Sequence, residues 1–317
     1  MLSSLKFVQG SLSRKDLVPE LSHFKIKGGF IKGFNGHIGL CSPIDLDLDV
    51  TPNGSQFVKA VQTCKETIGL HVTKSGKLSI KSGKFKALVE CLTDKDFPEI
   101  LPEGEFVKLD GKLLGALKKL APFVADDASK AWARGILFKG ESAYATNNVV
   151  LVETWLGYKF PMTVNIPNSA IQELIRIGEE PISLQITENR ITFHFEGERW
   201  LTSQTYSTEW PDLGRILSNP CNPIAFPEGL DNAVTDIKAF TDKFGKVFFG
   251  EGFISTSNNS EEGASFEVAS INFAGCYNAA YLLSICEIAK TIDFSQYPSP
   301  CNFFGENIRG AIIGMRQ

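Results

Sequence analysis

No apolar run in the 317 residues approaches the ~18 that cross a bilayer as a helix, and the opening MLSSLKFVQG lacks the apolar core of a secretory signal. Without that signal the sequon at Asn53-Gly54-Ser55 carries no meaning, and the composition predicts a cytoplasmic protein. An excess of base is missing as well. Lys and Arg number 32 against 36 Asp and Glu, a net charge of −4, so a role on nucleic acid requires basic residues gathered on one face. Cys41, Cys64, Cys91, Cys221, Cys276, Cys286 and Cys301 are scattered, with no C-x-x-C pair and no metal-type spacing to the four histidines; reduced, mostly buried thiols are expected. There is no phosphate loop, no G-x-G-x-x-G after a strand, no H-E-x-x-H and no G-x-S-x-G. His37 near Cys41 has no orienting acid beside it, and Ser3-x-x-Lys6 lacks the companion motifs of its class. The chain is therefore not expected to be an enzyme or to carry a cofactor or metal.

What is present is a duplication. With 43% hydrophobic and 21% charged residues the chain is ordinary globular protein, long enough for two or three domains. Laying Pro98 on Pro211 pairs Gly76–Ile100 with Asn189–Leu213 without a gap. Identities are few, but the chemistry recurs in step. Two alternating strand-like runs are split by a turn at Gly83 or Gly197, then come an acid, an aromatic and a proline: Asp96-Phe97-Pro98 and Glu209-Trp210-Pro211. An offset this long indicates whole duplicated domains rather than a solenoid. Three copies, 1–103, 104–217 and 218–317, account for the chain, with charge balances of +3, −2 and −5 that together make the −4 of the whole.

The first copy opens with a strand-like LKFVQG and a short helix interrupted near Pro19, followed by a hairpin turning at Asn35-Gly36. In IDLDLDV the alternation predicts a strand with Asp45, Asp47 and Asp49 on one face; a solvated face is favoured over a metal site. A helix is expected over Gly54–Lys65, with Phe57, Val58, Val61 and Cys64 on its apolar stripe. The second copy predicts a strand at FVKL and a helix capped by Asp110. A hairpin with a neighbouring strand follows over GILFKGESAYATNNVVLVETW. The copy's second helix then starts near a Ser169/Gln172 capping box and stops at Gly178. Copy three repeats the order: a helix with Leu230, Val234, Ile237 and Phe240 on one stripe, a hairpin at KVFFGEGFISTSNN, a second helix at CYNAAYLLSICEIAK, and final strands in NFFGENIRGAIIGM, where no linker is needed. Two helices and several antiparallel strands per copy make an α+β fold.

This triplicated α+β plan without a catalytic set resembles the bacterial DNA polymerase III beta subunit, the sliding clamp. RGILFKGESAYATNNVVLVE resembles the family's hairpin and T-D-G-H-R-L segment, and VNIPNSAIQELIRI its V-P-x-x-x-L-x-E-L helix. RWLTSQTYSTEWPDLGRIL resembles its L-T-S…F-P-D-Y-R-R-V stretch, Asp96-Phe97-Pro98 the end of its first domain, and IIGMRQ its C-terminal M-P-M-R-L. Asn148 and Val149 stand where the family has Gly-His, and Gly314 and Gln317 where it has Pro and Leu. The chain is shorter than usual members, which suits a compact bacteriophage-encoded one.

The resemblance implies three clamp domains per chain, each with two helices on antiparallel sheets, and a head-to-tail homodimer ring with helices lining a hole around duplex DNA. It implies a processivity factor that tethers the replicative polymerase, is loaded by a clamp loader and has no membrane partner. The alternative is a clamp-like recruitment scaffold that does not encircle DNA. The implied DNA-binding set is Arg14, Lys15, Lys25, Lys27, Lys59 and Lys65 in copy one, Lys112, Lys118, Lys119, Lys130, Trp132 and Arg176 in copy two, and Lys238 and Lys243 in copy three. Ala87, Leu88 and Val89 are implied on one side of the dimer seam and Phe240 on the other. The implied partner-peptide pocket is Ala133, Thr146, Val149, Leu151, Ile313, Met315, Arg316 and Gln317.

Overall fold

The computed structural model describes residues 1–13, 18–92, 97–125, 130–207, 209–259 and 261–316. Arg14, Lys15, Asp96 and Gln317 lie outside them. Among the described residues the α-helices are α1 (Leu2–Val8), α2 (Gly54–Thr63), α3 (Leu114–Leu120), α4 (Asn168–Ile177), α5 (Gly214–Leu217), α6 (Leu230–Ile237) and α7 (Ala279–Ile288). None is long and apolar enough to cross a membrane. The chain gathers into two compact units, Met1–Asp110 with Ser169–Thr205, and Gly111–Asn168 with Tyr206–Gln317.

The first unit is built on a seven-stranded antiparallel sheet. Its order is Lys25–Lys27, Phe30–Phe34, Ile38–Pro43, Arg199–Gln204, Arg190–Phe195, Ser183–Ile186 and Glu105–Lys108. One face presents Ile26, Ile31, Leu40, Leu201, Phe193 and Leu184, all fully buried. Each such side chain contributes about 1.5–3 kcal/mol by leaving water. The turn at Asn35-Gly36 forms as expected: Asn35 Oδ1 accepts from the His37 and Ile38 N–H groups, and Gly36 takes a φ of +94°. Helix α2 starts at Asn53, whose Oδ1 accepts from the Gln56 N–H at 3.0 Å, and buries Phe57, Val58 and Val61. A three-stranded sheet, Gly69–Val72, Leu78–Ser82 and Phe85–Val89, completes the unit with a short pairing of Thr51–Pro52 to Cys91–Leu92.

The second unit carries an eight-stranded sheet. It runs Val164–Pro167, Gly135–Lys139, Ser142–Thr146, Val150–Trp155, Ile308–Ile312, Cys301–Gly305, Thr291–Ile292 and Ile224–Ala225. A four-stranded sheet is ordered Ser265–Glu267, Phe253–Ser255, Lys246–Gly250 and Gly275–Asn278. Helix α7 begins at Asn278, whose side chain accepts from the Tyr281 N–H at 3.1 Å, and packs against α6. The core here is aromatic: Phe249, Phe273, Tyr277 and Phe294 touch ring to ring at 4.7–5.6 Å.

Three local expectations are corrected. LKFVQG is not a strand; Leu2–Val8 is α1, and its helical turns bury Leu5 and Val8 together with Phe7. IDLDLDV keeps alternating exposure but forms no strand, because only Val50 finds a bridge partner, Ile26. Asp110 does not stand at the N-cap of α3, which begins at Leu114 with Leu113 as its N-cap residue.

Candidate functional site

The second unit holds a groove built from the sheet's central strands and the C-terminal segment. Between Ser142–Thr146 and Val150–Trp155 the chain reverses at Asn147-Asn148-Val149. Thr146 Oγ1 donates to the Val150 carbonyl at 2.7 Å and accepts from the Asn148 N–H at 3.1 Å. Asn147 Oδ1 accepts from the Val149 and Val150 N–H groups at 3.0 and 2.8 Å, and Asn148 sits at a φ of +71°, a conformation asparagine tolerates. The Val149 carbonyl then accepts from the Ile313 N–H at 2.9 Å, which ties the chain's last segment to this loop.

Beyond Ile313 the segment is held on its other side. The Met315 N–H donates to the Cys276 carbonyl at 2.7 Å, Tyr297 Oη to the Met315 carbonyl at 2.9 Å, and Lys246 Nζ to the Arg316 carbonyl at 3.0 Å. Gly314 lies against the Tyr297 ring, where any Cβ would collide, so the glycine standing at the family's proline position permits this approach. Burial pushes the Cys276 thiol up to about 11; it stays protonated at neutral pH and packs as a small apolar group.

Two apolar lobes result. A cavity of about 210 Å³ is walled by Trp132, Leu151, Pro211, Leu213, Ile216 and Pro300, with Thr146, Ala311 and Lys130 at its margins. A second, of about 410 Å³, is lined by Phe244, Lys246, Gly314, Met315 and Arg316. Asn148, Val149 and Ile313 belong to both. Two buried asparagines brace irregular wall segments: Asn165 Nδ2 donates to the Trp132 carbonyl at 2.8 Å and Asn302 Nδ2 to that of Ile216 at 3.0 Å. A concave apolar surface with a few fixed polar groups suits leucine-like and aromatic side chains of an extended segment.

Of the expected pocket residues, the structure brings Thr146, Val149, Leu151, Ile313, Met315 and Arg316 together. Ala133 is fully buried and lines neither lobe, because it lies inside the turn that carries Trp132. Sequence reasoning missed Pro211, Leu213, Ile216, Pro300 and Phe244. Pro211 and Leu213 lie within the stretch that carries the duplication, but no local pattern ties Pro300 or Phe244 to this loop.

The expected DNA-binding residues divide. Lys59, Lys65, Lys112, Lys118, Lys238 and Lys243 are exposed on or beside helices, and Lys130 is exposed at the margin of the groove. Lys119 is half-buried, its Nζ donating to the Glu306 carbonyl at 3.3 Å. Arg176 is not a free cation: it is paired with Glu173 and donates to the Lys6 and Phe7 carbonyls at 2.9 and 2.7 Å. Lys25 and Lys27 alternate with buried Ile26 and so point away from the apolar face of their sheet. Asp49 holds them at 2.8 and 3.2 Å, and hydrogen bonds from these two lysines lower its pKa. Trp132, placed by the resemblance in the DNA-binding set, is half-buried, its ring 5.2 Å from that of Trp210, and walls the groove.

At the expected seam, Leu88 is 51% exposed and Ala87 half-buried on Phe85–Val89, an edge strand of the three-stranded sheet. Phe240, 63% exposed, closes the turn after α6. Val89 is buried within its own unit, since the strand's alternation turns it inward, and it presents no side chain at the surface.

No protein-family model matches the chain. Among curated proteins, a beta sliding clamp of Helicobacter pylori strain 26695 is 27% identical over 245 residues, 68% of this chain. The matched stretch spans 64% of that relative's length. Among solved structures, the C. crescentus beta sliding clamp superposes with a TM-score of 0.84 at 19% identity, covering 100% of this chain and 97% of that one. The Helicobacter pylori beta clamp bound to a DNA ligase peptide superposes at 0.81 and 19% identity, covering 99% and 97%.

Proposed function

We propose that this chain, a homologue of the bacterial beta sliding clamps, is itself a sliding clamp: a ring of two protomers that encircles duplex DNA and tethers a polymerase. The observation that carries the reading is the two-lobed apolar groove, whose walls come from the Thr146–Leu151 loop and the chain's last residues. A solved relative of the same fold is described as bound to a DNA ligase peptide, and a short apolar-aromatic segment of a polymerase or clamp loader has the chemistry this groove accepts.

Three domains, 1–103, 104–217 and 218–317, would give two longer helices per copy, α1 and α2, α3 and α4, and α6 and α7, of which α1 packs on α2 and α6 on α7. Neighbouring copies would then share sheets through Ile38–Pro43 with Arg199–Gln204 and Val150–Trp155 with Ile308–Ile312, two pairings each made within one compact unit. A ring needs only mobile, sequence-independent phosphate contacts, which modest exposed lysines supply and tight ones would defeat. The clamp has no catalytic activity of its own and works in the cytoplasm.

The test is retention. Protein loaded onto nicked circular DNA stays bound in salt and is released when the circle is cut; release from both forms alike overturns the topological reading. A recruitment scaffold is the second reading, favoured by the engagement of Arg176 and by the −5 balance of residues 218–317. It predicts peptide binding without retention on the circle.

A further inference from the structure

The Trp210 side chain has one polar atom, the indole Nε1, and it is buried in the second unit with no acceptor among the described residues. The other unpaired atoms buried beside the groove, Oδ1 of Asn165 and Oδ1 of Asn302, are acceptors on carboxamides whose Nδ2 is bonded. An orphaned donor is the rarer and costlier defect.

Geometry supplies a role. Trp210 immediately precedes Pro211, which lines the smaller lobe, and Trp210 itself does not line it. Trp132 does, and its ring meets that of Trp210 edge-on at 5.2 Å and 61°. Asn165 ties down the backbone carbonyl of Trp132 while its half-buried side chain keeps one side accessible, so a change of rotamer would leave the backbone of the wall in place. Resting on the reading of the groove as a peptide site, we propose that Trp132 is a movable cover. When it turns aside, the Trp210 indole N–H becomes the donor for a carbonyl or carboxylate oxygen of the docked peptide. The groove thereby recognises a main-chain or acidic acceptor at one fixed place beside its apolar anchors.

The experiment uses the full chain, a fluorescein-labelled peptide with leucine and phenylalanine anchors, and Trp210→Phe. The variant keeps a ring and removes only the N–H donor and the second ring. The expected result has opposite signs: Tm is unchanged or raised, because an unsatisfied donor has gone, while Kd weakens about five- to tenfold, the worth of one net hydrogen bond. In the parent protein, the indole N–H resonance that the variant lacks shifts downfield on peptide addition. An unchanged Kd with peptide still bound overturns the proposal, and so does a lower Tm with weakened binding, which would mean general loosening. No binding by the parent protein overturns instead the reading of the groove on which the proposal rests.

Discussion

Glu173 and Arg176, one turn apart on α4, form an ion pair with a buried carboxylate and a partly exposed guanidinium, and it grips the end of α1. Arg176 Nε donates to Glu173 Oε2 at 2.8 Å, and its two terminal nitrogens reach the Lys6 and Phe7 carbonyls, which lack partners at the end of a helix. Gly10 permits the grip, since a Cβ there would collide with the Glu173 carboxylate. Arg176→Ala should therefore cost about 1–3 kcal/mol, because the buried Glu173 carboxylate loses its partner while solvent reaches the place the guanidinium leaves, and Arg176→Lys should recover only part of it, lacking the planar fork. Urea unfolding followed by circular dichroism measures both; equal stability of all three proteins would contradict the assignment.

Glu153 provides a pH prediction. Burial works to raise its pKa, but hydrogen bonds from Ser142, Arg309 and Tyr144 outweigh it and hold the group below its ordinary 4.5. A depressed carboxylate contributes stability that is present above the unfolded value and lost as pH falls through the folded one. Stability should therefore decline below about pH 4.5, and Glu153→Gln should flatten that decline while lowering stability at neutral pH. Parallel curves for the two proteins between pH 3 and 7 would remove Glu153 from the acid response.

Which features were legible in the sequence follows from how local their causes are. The Asn35-Gly36 turn, the start of α2 at Gly54 and the Gly178 stop act within a few residues and appear where the sequence places them. Helix α1 was missed because its seven residues are too few to separate a period of two from one of 3.6. Asp45, Asp47 and Asp49 alternate, but a strand also needs a neighbour along its whole length, which alternation does not report. Part of the groove, Thr146, Val149, Leu151, Ile313, Met315 and Arg316, was visible through likeness to the clamp family. The contact of the Trp132 ring with Trp210 and the bonds of Arg176 to Lys6 and Phe7 were not legible, because no pattern around these residues signals partners so distant in the chain.

Ile313 is 42% exposed and stands where the two lobes meet. Ile313→Asp should leave Tm within about 2 °C, since little core is disturbed, yet weaken an apolar peptide at least tenfold by placing a desolvated charge at the junction. Fluorescence polarisation and a thermal melt on the same sample check the pair. Peptide binding at parental affinity would place the contact elsewhere.

Phe240 is exposed in the single chain, so its replacement should not unfold the protein. If two copies close a ring through this residue and the Phe85–Val89 edge strand, Phe240→Arg should yield folded monomers of 34.8 kDa by light scattering, with the parent at twice that mass. A variant that still runs as a dimer would exclude Phe240 from the seam, and a monomeric parent would exclude the ring of two.

Lys118 and Lys119 are neighbours on α3 with different environments, and this separates their expected roles on DNA. Lys118 is exposed, whereas Lys119 is half-buried and already donates to the Glu306 carbonyl. A phosphate contact releases counterions, so losing one lowers the slope of log K against log salt by about 0.9. Lys118→Glu should reduce the slope by at least that amount and cut retention on circular DNA, Lys119→Glu should do less, and Arg176→Lys should leave the slope unchanged because its guanidinium is engaged within its own unit. Binding to nicked circles between 50 and 200 mM salt measures all three. Equal slopes for the parent and Lys118→Glu would mean that the exposed face of α3 does not meet DNA; a reduced slope for Arg176→Lys would mean that its ties to Lys6 and Phe7 open on DNA.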